Sequence, residues 1–169
     1  MLSDEQGILD SVRERLMRIL PDIAAAVFHS ADNQWTWTLQ VSSAGGLARY
    51  LYWGSGQWWV TQVHSAGGNP AISVVEPISS ASDETRAVDR GVVIALAAVG
   101  SSALDRITGS AANYQLEDDD QQSALVAFGA ALNALENIQD DESGDAETRS
   151  LARTLRGEWL ITRLDDLGG

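Results

Sequence analysis

The chain has 169 residues, no cysteine and no lysine, and a formal net charge of -13. These values exclude a disulfide framework, a thiolate metal site and a cysteine nucleophile. They also disfavour nucleic acid and anionic membranes as partners, because both are bound through basic surfaces. The length and the 44% share of hydrophobic residues predict a single folded domain over residues 1–169.

No targeting or membrane-spanning segment is predicted. The chain opens with acidic and polar residues, unlike a secretory signal. Its longest apolar run, 92–99, is shorter than the roughly 20 residues that span a bilayer. We therefore expect a cytoplasmic protein that does not bind membranes.

The first predicted element is an amphipathic helix. Ser3 is a suitable N-cap, and Asp4 and Glu5 follow at the positive end of the helix dipole. Apolar residues then recur at helical spacing: Ile8, Val12, Leu16, Ile19 and Leu20. Pro21 interrupts this pattern, after which residues 23–28 either continue as a helical turn or enter a first strand.

Between residues 34 and 78 the hydrophobic period changes to two, which predicts an antiparallel sheet. The predicted strands are 34–42, 47–53, 57–64 and 71–78. Residues 54–56, Gly-Ser-Gly, predict a tight hairpin loop, and Pro77 favours a sheet edge. The simplest assembly is a four-stranded meander.

The remainder is predicted to be mostly helical. A helix capped at Ser82 runs towards Gly100, a candidate stop or kink. Within it, residues 92–99 are apolar on all sides and fit either a buried helix or a central strand. Further helices are predicted from Asp118 and over 145–166. The fold class is therefore α+β: an N-terminal helix, a sheet of about four strands over 34–78, and C-terminal helices packed on it.

The hairpin suggests a ligand-binding or partner-binding site. A three-residue loop would place Tyr52 opposite Trp58 and would bring five residues to one face of the sheet: Tyr50, Tyr52, Trp58, Val60 and His64. The opposite face would carry Leu51, Trp53 and Trp59. Because both faces are apolar, we expect both to be covered. The cover on the Tyr50 face would be the chain's own helices, a second subunit, or a ligand.

No catalytic or metal-binding constellation is found. Two histidines and no cysteine are too few for a conventional metal site, and without lysine there is no phosphate-binding P-loop. No serine lies in a nucleophile elbow. We therefore predict no cofactor and no metal, and we favour a protein that is not an enzyme.

Two acidic runs could form a surface for a basic partner. Their residues are Glu117, Asp118, Asp119 and Asp120, followed later by Asp140, Asp141 and Glu142. Neither run fits a calcium loop; in the second, Asp145 stands where the loop requires glycine. The alternative interpretation is solvated charge at helix ends.

Residues 117–139 resemble the closing helix of GAF domains, which follows an acidic turn and ends in a sequence similar to Ala134-Leu135-Glu136-Asn137. The resemblance implies that 91–99 is the last strand of the sheet. It also implies a sensory domain that binds a small ligand or dimerises.

Three functions follow as hypotheses. The leading one is a non-catalytic regulatory or partner-binding domain, homodimeric through the aromatic sheet face. The second is a small-molecule sensor of GAF or PAS type, with a cavity beside that face. The third is an acidic chaperone, inhibitor or nucleic-acid mimic, whose carboxylates form one continuous stripe.

Overall fold

A computed structural model describes residues 2–29, 37–42, 49–54, 56–66, 69–73, 77–80, 83–113 and 118–161. The helices are α1 (Leu2–Ile19), α2 (Glu84–Asn113), α3 (Asp118–Asp140) and α4 (Ala146–Leu155), which continues into a π-helical turn (Arg156–Ile161). The strands are β1 (Ala24–His29), β2 (Trp37–Ser42), β3 (Arg49–Gly54), β4 (Gln57–Ala66), β5 (Asn69–Ser73) and β6 (Pro77–Ser80). The predicted α+β class is confirmed.

The sheet is antiparallel, with strand order β1-β2-β3-β4-β5 and β6 also paired to β4. It holds six strands, more than the four expected. One addition is β1, the first element after α1. Its first residues alternate between exposed and half-buried. The other arises because the predicted strand 71–78 is split into β5 and β6, which lie along different parts of β4. Pro77 begins β6, a position where its missing N–H is tolerated.

The hydrophobic core lies between one face of the sheet and the helices α1 and α2. Every residue of 92–99 is fully buried, and the segment is helical. The apolar run is therefore the centre of α2, and the strand implied by the GAF resemblance is absent there. The part of α2 from Glu84 to Leu104 is long and apolar enough to cross a membrane, but 94% of an 18-residue stretch within it is buried inside the fold.

Two glycines of α2 allow close approach by neighbouring side chains. A Cβ on Gly91 would lie 2.3 Å from Cζ2 of Trp58, and a Cβ on Gly100 would lie 2.8 Å from Cδ2 of Leu160. Gly100 was predicted to stop or kink the helix, but α2 continues through it to Asn113. The glycine serves contact with the π-helical turn instead of helix termination.

A buried arginine joins α4 to α2. Arg90 Nη2 donates hydrogen bonds to Asp145 Oδ2 (3.1 Å) and to Glu147 Oε2 (2.6 Å). Asp145 is also the N-cap of α4, where it accepts hydrogen bonds from the Thr148 backbone N–H and hydroxyl. The hydrogen bond from Arg90, followed by those from Thr148, lowers the pKa of Asp145. The helix predicted from residue 145 thus begins at Asp145, which both caps α4 and binds the buried Arg90.

Alanine substitutions at two glycines should change stability in opposite directions. Gly91→Ala forces a methyl group into the Trp58 ring and should destabilise the fold by about 1–3 kcal/mol. Gly129→Ala, on α3 with nothing within 4 Å of the new methyl, should stabilise it by about 1 kcal/mol through helix propensity. Urea unfolding of both variants measures this. Equal effects of the two substitutions would contradict the packing of Trp58 on α2.

Asp145→Asn should lower the stability of the fold at neutral pH and make that stability less dependent on pH in the acid range. Because the folded-state pKa lies below 3.8, the carboxylate stabilises the fold above that pH. This stabilisation is lost as the pH falls through the folded pKa, so the variant and the natural chain should converge in acid. Thermal unfolding from pH 7 to pH 3 measures this. Glu142→Gln, at an exposed side chain, is the control and should leave the profile unchanged.

Candidate partner-binding face

The β3–β4 hairpin differs by one residue from its predicted register. Gly54 pairs with Gln57, Trp53 with Trp58, and Tyr52 with Trp59. The loop therefore has two residues instead of three, and its second residue, Gly56, has a φ of 73°. Positive φ in a two-residue loop matches the twist of the flanking strands and is readily adopted by glycine.

This register divides the predicted site between the two faces of the sheet. Trp58 and Val60 are buried on the inner face, which packs against the helices. Tyr50 and Tyr52 are half-buried on the opposite face. His64 pairs with Ala71 through the backbone, and its side chain lies outside the described residues. The prediction that these five residues share one face is therefore wrong, because a one-residue shift exchanges the faces of a whole strand.

Trp58 has a structural environment. Its indole N–H donates a 2.8 Å hydrogen bond to the Ala87 carbonyl on α2, and its ring packs on Gly91. The ring also lies 5.3 Å from that of Trp53, at an angle of 52°. With its polar atom bonded and its surface buried, Trp58 anchors α2 on the sheet and is not available to a ligand.

The inner face also buries a cation. Arg49 is almost fully buried, and its Nη2 donates a 3.1 Å hydrogen bond to the Ser101 hydroxyl of α2. Arg49 lies on the same face of β3 as Leu51 and Trp53. Its role is to connect β3 with α2.

The outer aromatic face consists of Phe28, Tyr50, Tyr52 and Trp59. The Phe28 and Tyr50 rings meet edge to face at 6.5 Å. Phe28 is 37% exposed, and none of the four belongs to the hydrophobic core or packs against it in the part of the chain that the structure describes. Sequence reasoning missed Phe28 and assigned Trp59 to the other face. Residues 24–28 read Ala-Ala-Ala-Val-Phe, a sequence without the alternation that would have assigned Phe28 to one face.

The outer aromatic face is uncharged. Among the six strands, Arg49 is the only Asp, Glu, Lys or Arg, and it lies on the inner face. This neutrality stands out on a chain with a net charge of -13. Charged residues are instead concentrated on the helices and their connections.

The free edge of β1 borders this face. Arg13 Nε donates a 2.8 Å hydrogen bond to the Ala25 carbonyl, which therefore points away from β2. Because strand residues alternate, the backbone groups of Val27 and His29 point the same way. No strand pairs with this edge in the described sheet, and β1 contains no charged residue, proline or register shift. Such charges, prolines and bulges are the features that usually protect an edge strand.

The two acidic runs lie at the two ends of α3. Asp118, Asp119 and Asp120 begin α3, whereas Asp140 ends it, about 33 Å away along the helix axis. Asp141 accepts hydrogen bonds from the backbone and hydroxyl of Ser143, which lower the pKa of Asp141. Glu117 lies outside the described residues, and Glu142 is exposed. The described residues of the two runs therefore lie at opposite ends of α3.

The cavity that the structure describes is not lined by residues of the aromatic face. Across the described ranges, no group of three or more His, Asp or Glu is placed to hold a metal ion. A cavity of about 310 Å³ lies elsewhere, between the α1–β1 turn and α3. Because Trp58 lies on the opposite face of the sheet from Tyr50 and Tyr52, these three residues do not line one pocket.

Comparison with known proteins gives no matching family model, no matching curated protein and no matching solved structure.

Substitution of the two neighbouring tryptophans distinguishes the two faces. Trp58→Phe removes a buried hydrogen bond and leaves a void, and should destabilise the fold by about 1–3 kcal/mol. The indole of Trp59 makes a long hydrogen bond, 3.4 Å, to the Gly54 carbonyl. Trp59→Phe should therefore change stability by no more than about 0.5 kcal/mol. Chemical denaturation measures both variants. A larger loss for Trp59→Phe would favour the three-residue loop.

Proposed function

We propose that this chain is a non-catalytic protein-binding domain that forms a homodimer through the outer aromatic face and the free edge of β1. The observation that carries the proposal is the juxtaposition of the two: an uncharged aromatic face lies next to the edge of β1, with which no strand of the described sheet pairs. We place this dimer in the cytoplasm, where a chain without cysteine needs no disulfide for stability.

The composition of the face supports protein binding. Tyrosine, tryptophan and phenylalanine are enriched at the centres of protein interfaces, where charged residues are depleted. Tyr50, Tyr52 and Trp59 each carry a polar O–H or N–H group on an apolar ring, so these side chains can face either water or another protein. A face of this kind can remain hydrated in the monomer and become buried in a complex.

The charge distribution favours a second copy as the partner. Two chains of -13 repel each other, but exposed charges act weakly beyond about 8 Å at physiological ionic strength. The uncharged face is therefore the surface through which two copies can approach at the lowest electrostatic cost. Added salt should strengthen such a dimer, whereas it would weaken a complex with a basic partner.

The sequence of β1 is compatible with antiparallel pairing to itself. Since Ala25, Val27 and His29 point their backbone groups outward, a two-fold axis at Val27 pairs these groups between copies. This register places Ala26 opposite Phe28 of the partner subunit, so a small residue faces a large ring on the outer face. Arg13, which is exposed, would leave the Ala25 carbonyl to a backbone N–H of the partner strand.

Lysine substitution on β1 tests the proposal. The natural chain should be a dimer by light scattering and sedimentation, and its dissociation constant should fall as salt rises. Ala26→Lys places two charges, one from each copy, in the interface and should raise that constant at least roughly 30-fold, the effect of losing an interface hot spot. Circular dichroism should show the variant still folded.

Leu125→Lys is the matched control. Leu125 is half exposed on α3 and belongs neither to the outer aromatic face nor to β1, so this charge should leave the dimer unchanged. A natural chain that stays monomeric at every protein and salt concentration would refute the proposal. So would an Ala26→Lys variant that dimerises as well as the Leu125→Lys control.

A further inference from the structure

A cavity of about 310 Å³ separates the turn between α1 and β1 from the first half of α3. This volume is at the lower end of the range for small-molecule sites, which is roughly 300–1,000 Å³. Its walls are mainly apolar, formed by Ile19, Pro21 and Ile23 on one side and by Val126 and Ala130 on the other. The outer aromatic face contributes no residue to its lining, so the cavity is separate from the proposed dimer interface.

Exposed apolar side chains are concentrated at this cavity. Ile19 is 41% exposed and Val126 is 61% exposed, and both line it. Leu125, 50% exposed, is adjacent to Val126 in α3. A cluster of exposed apolar side chains around a concave surface is typical of a binding site, whereas exposed apolar residues that occur singly are common on any protein surface.

The polar groups of the cavity favour a positively charged ligand. Asp22 lines it, is exposed, and forms no hydrogen bond or ion pair within the described part of the chain. The carboxyl end of α1 lies beside Asp22, and the last carbonyls of a helix attract cations; Arg18, in the last turn of α1, does not line the cavity. The other wall is formed by α3, which begins with the aspartates at 118–120. Their negative charge opposes the positive end of the helix dipole.

We propose that this cavity binds a small apolar amine, with its ammonium group at Asp22 and its hydrocarbon part against Ile19 and Val126. The carboxylate supplies the charge preference, and the apolar walls supply most of the affinity. This site is independent of dimerisation through β1, so the monomeric Ala26→Lys variant should bind the same ligand equally well.

Three probes with similar hydrocarbon parts and different charges test the inference: phenethylamine, 2-phenylethanol and 3-phenylpropanoate. Binding to the full chain is followed by amide chemical shifts and by calorimetry. The amine should bind about fivefold more tightly than the alcohol, the size of one partly exposed ion pair, and the carboxylate should bind weakest. Shifts should be largest at residues 19–23 and 122–130.

Two variants and one control complete the test. Asp22→Asn should reduce the affinity for the amine to that for the alcohol, whereas Val126→Arg should abolish binding of both. Glu142→Gln, at an exposed acid elsewhere, should change neither. Equal binding of all three probes, an unaffected Asp22→Asn variant, or no binding at millimolar concentration would overturn the proposal. None of these outcomes bears on the dimer.

Discussion

The position of Trp58 against α2 determines how the rest of the molecule is arranged. Its ring occupies the space that a side chain at residue 91 would fill, and its N–H is bonded to the Ala87 carbonyl. This contact fixes β4 on the helical layer with Trp58 inward. Because successive strand residues point to opposite faces, Trp59 is then directed outward. The pairing of β3 with β4 places Tyr50 and Tyr52 beside it. The outer aromatic face is therefore a consequence of how the core is packed.

The sequence predicted the elements better than their registration. Helical spacing from Ile8 to Leu20 identified α1, and alternation from Trp35 to Val41 identified β2, because each pattern repeats locally. The hairpin was ambiguous because two-residue and three-residue loops are both compatible with Gly-Ser-Gly. A difference of one residue moved Trp58 and Val60 off the predicted site. Residues 92–99 were ambiguous for another reason: full burial removes the periodicity that separates helix from strand.

Long-range pairing was the other limit of sequence reasoning. Arg90 and Asp145 are 55 residues apart, and nothing in either neighbourhood identifies them as partners. Asp145 could be recognised as the start of a helix, but its second role depends on how α4 packs against α2. Likewise, the acidic runs at 118–120 and 140–142 look equivalent in sequence, whereas in the structure α3 lies between them.

Neither the outer aromatic face nor the β1 edge is sufficient for association alone. Complete burial of an exposed Phe-sized side chain contributes about 1.5–3 kcal/mol, and the rings of this face are already partly buried. Association itself costs an estimated 4–15 kcal/mol. Backbone hydrogen bonds along an added strand contribute about 0.5–1.5 kcal/mol each and fix the register, but give little preference for one partner. Phe28 belongs to both features, since it lies on β1 and contacts Tyr50. A partner strand on β1 would therefore extend the aromatic face in the same step, so that apolar burial and strand pairing stabilise one complex together.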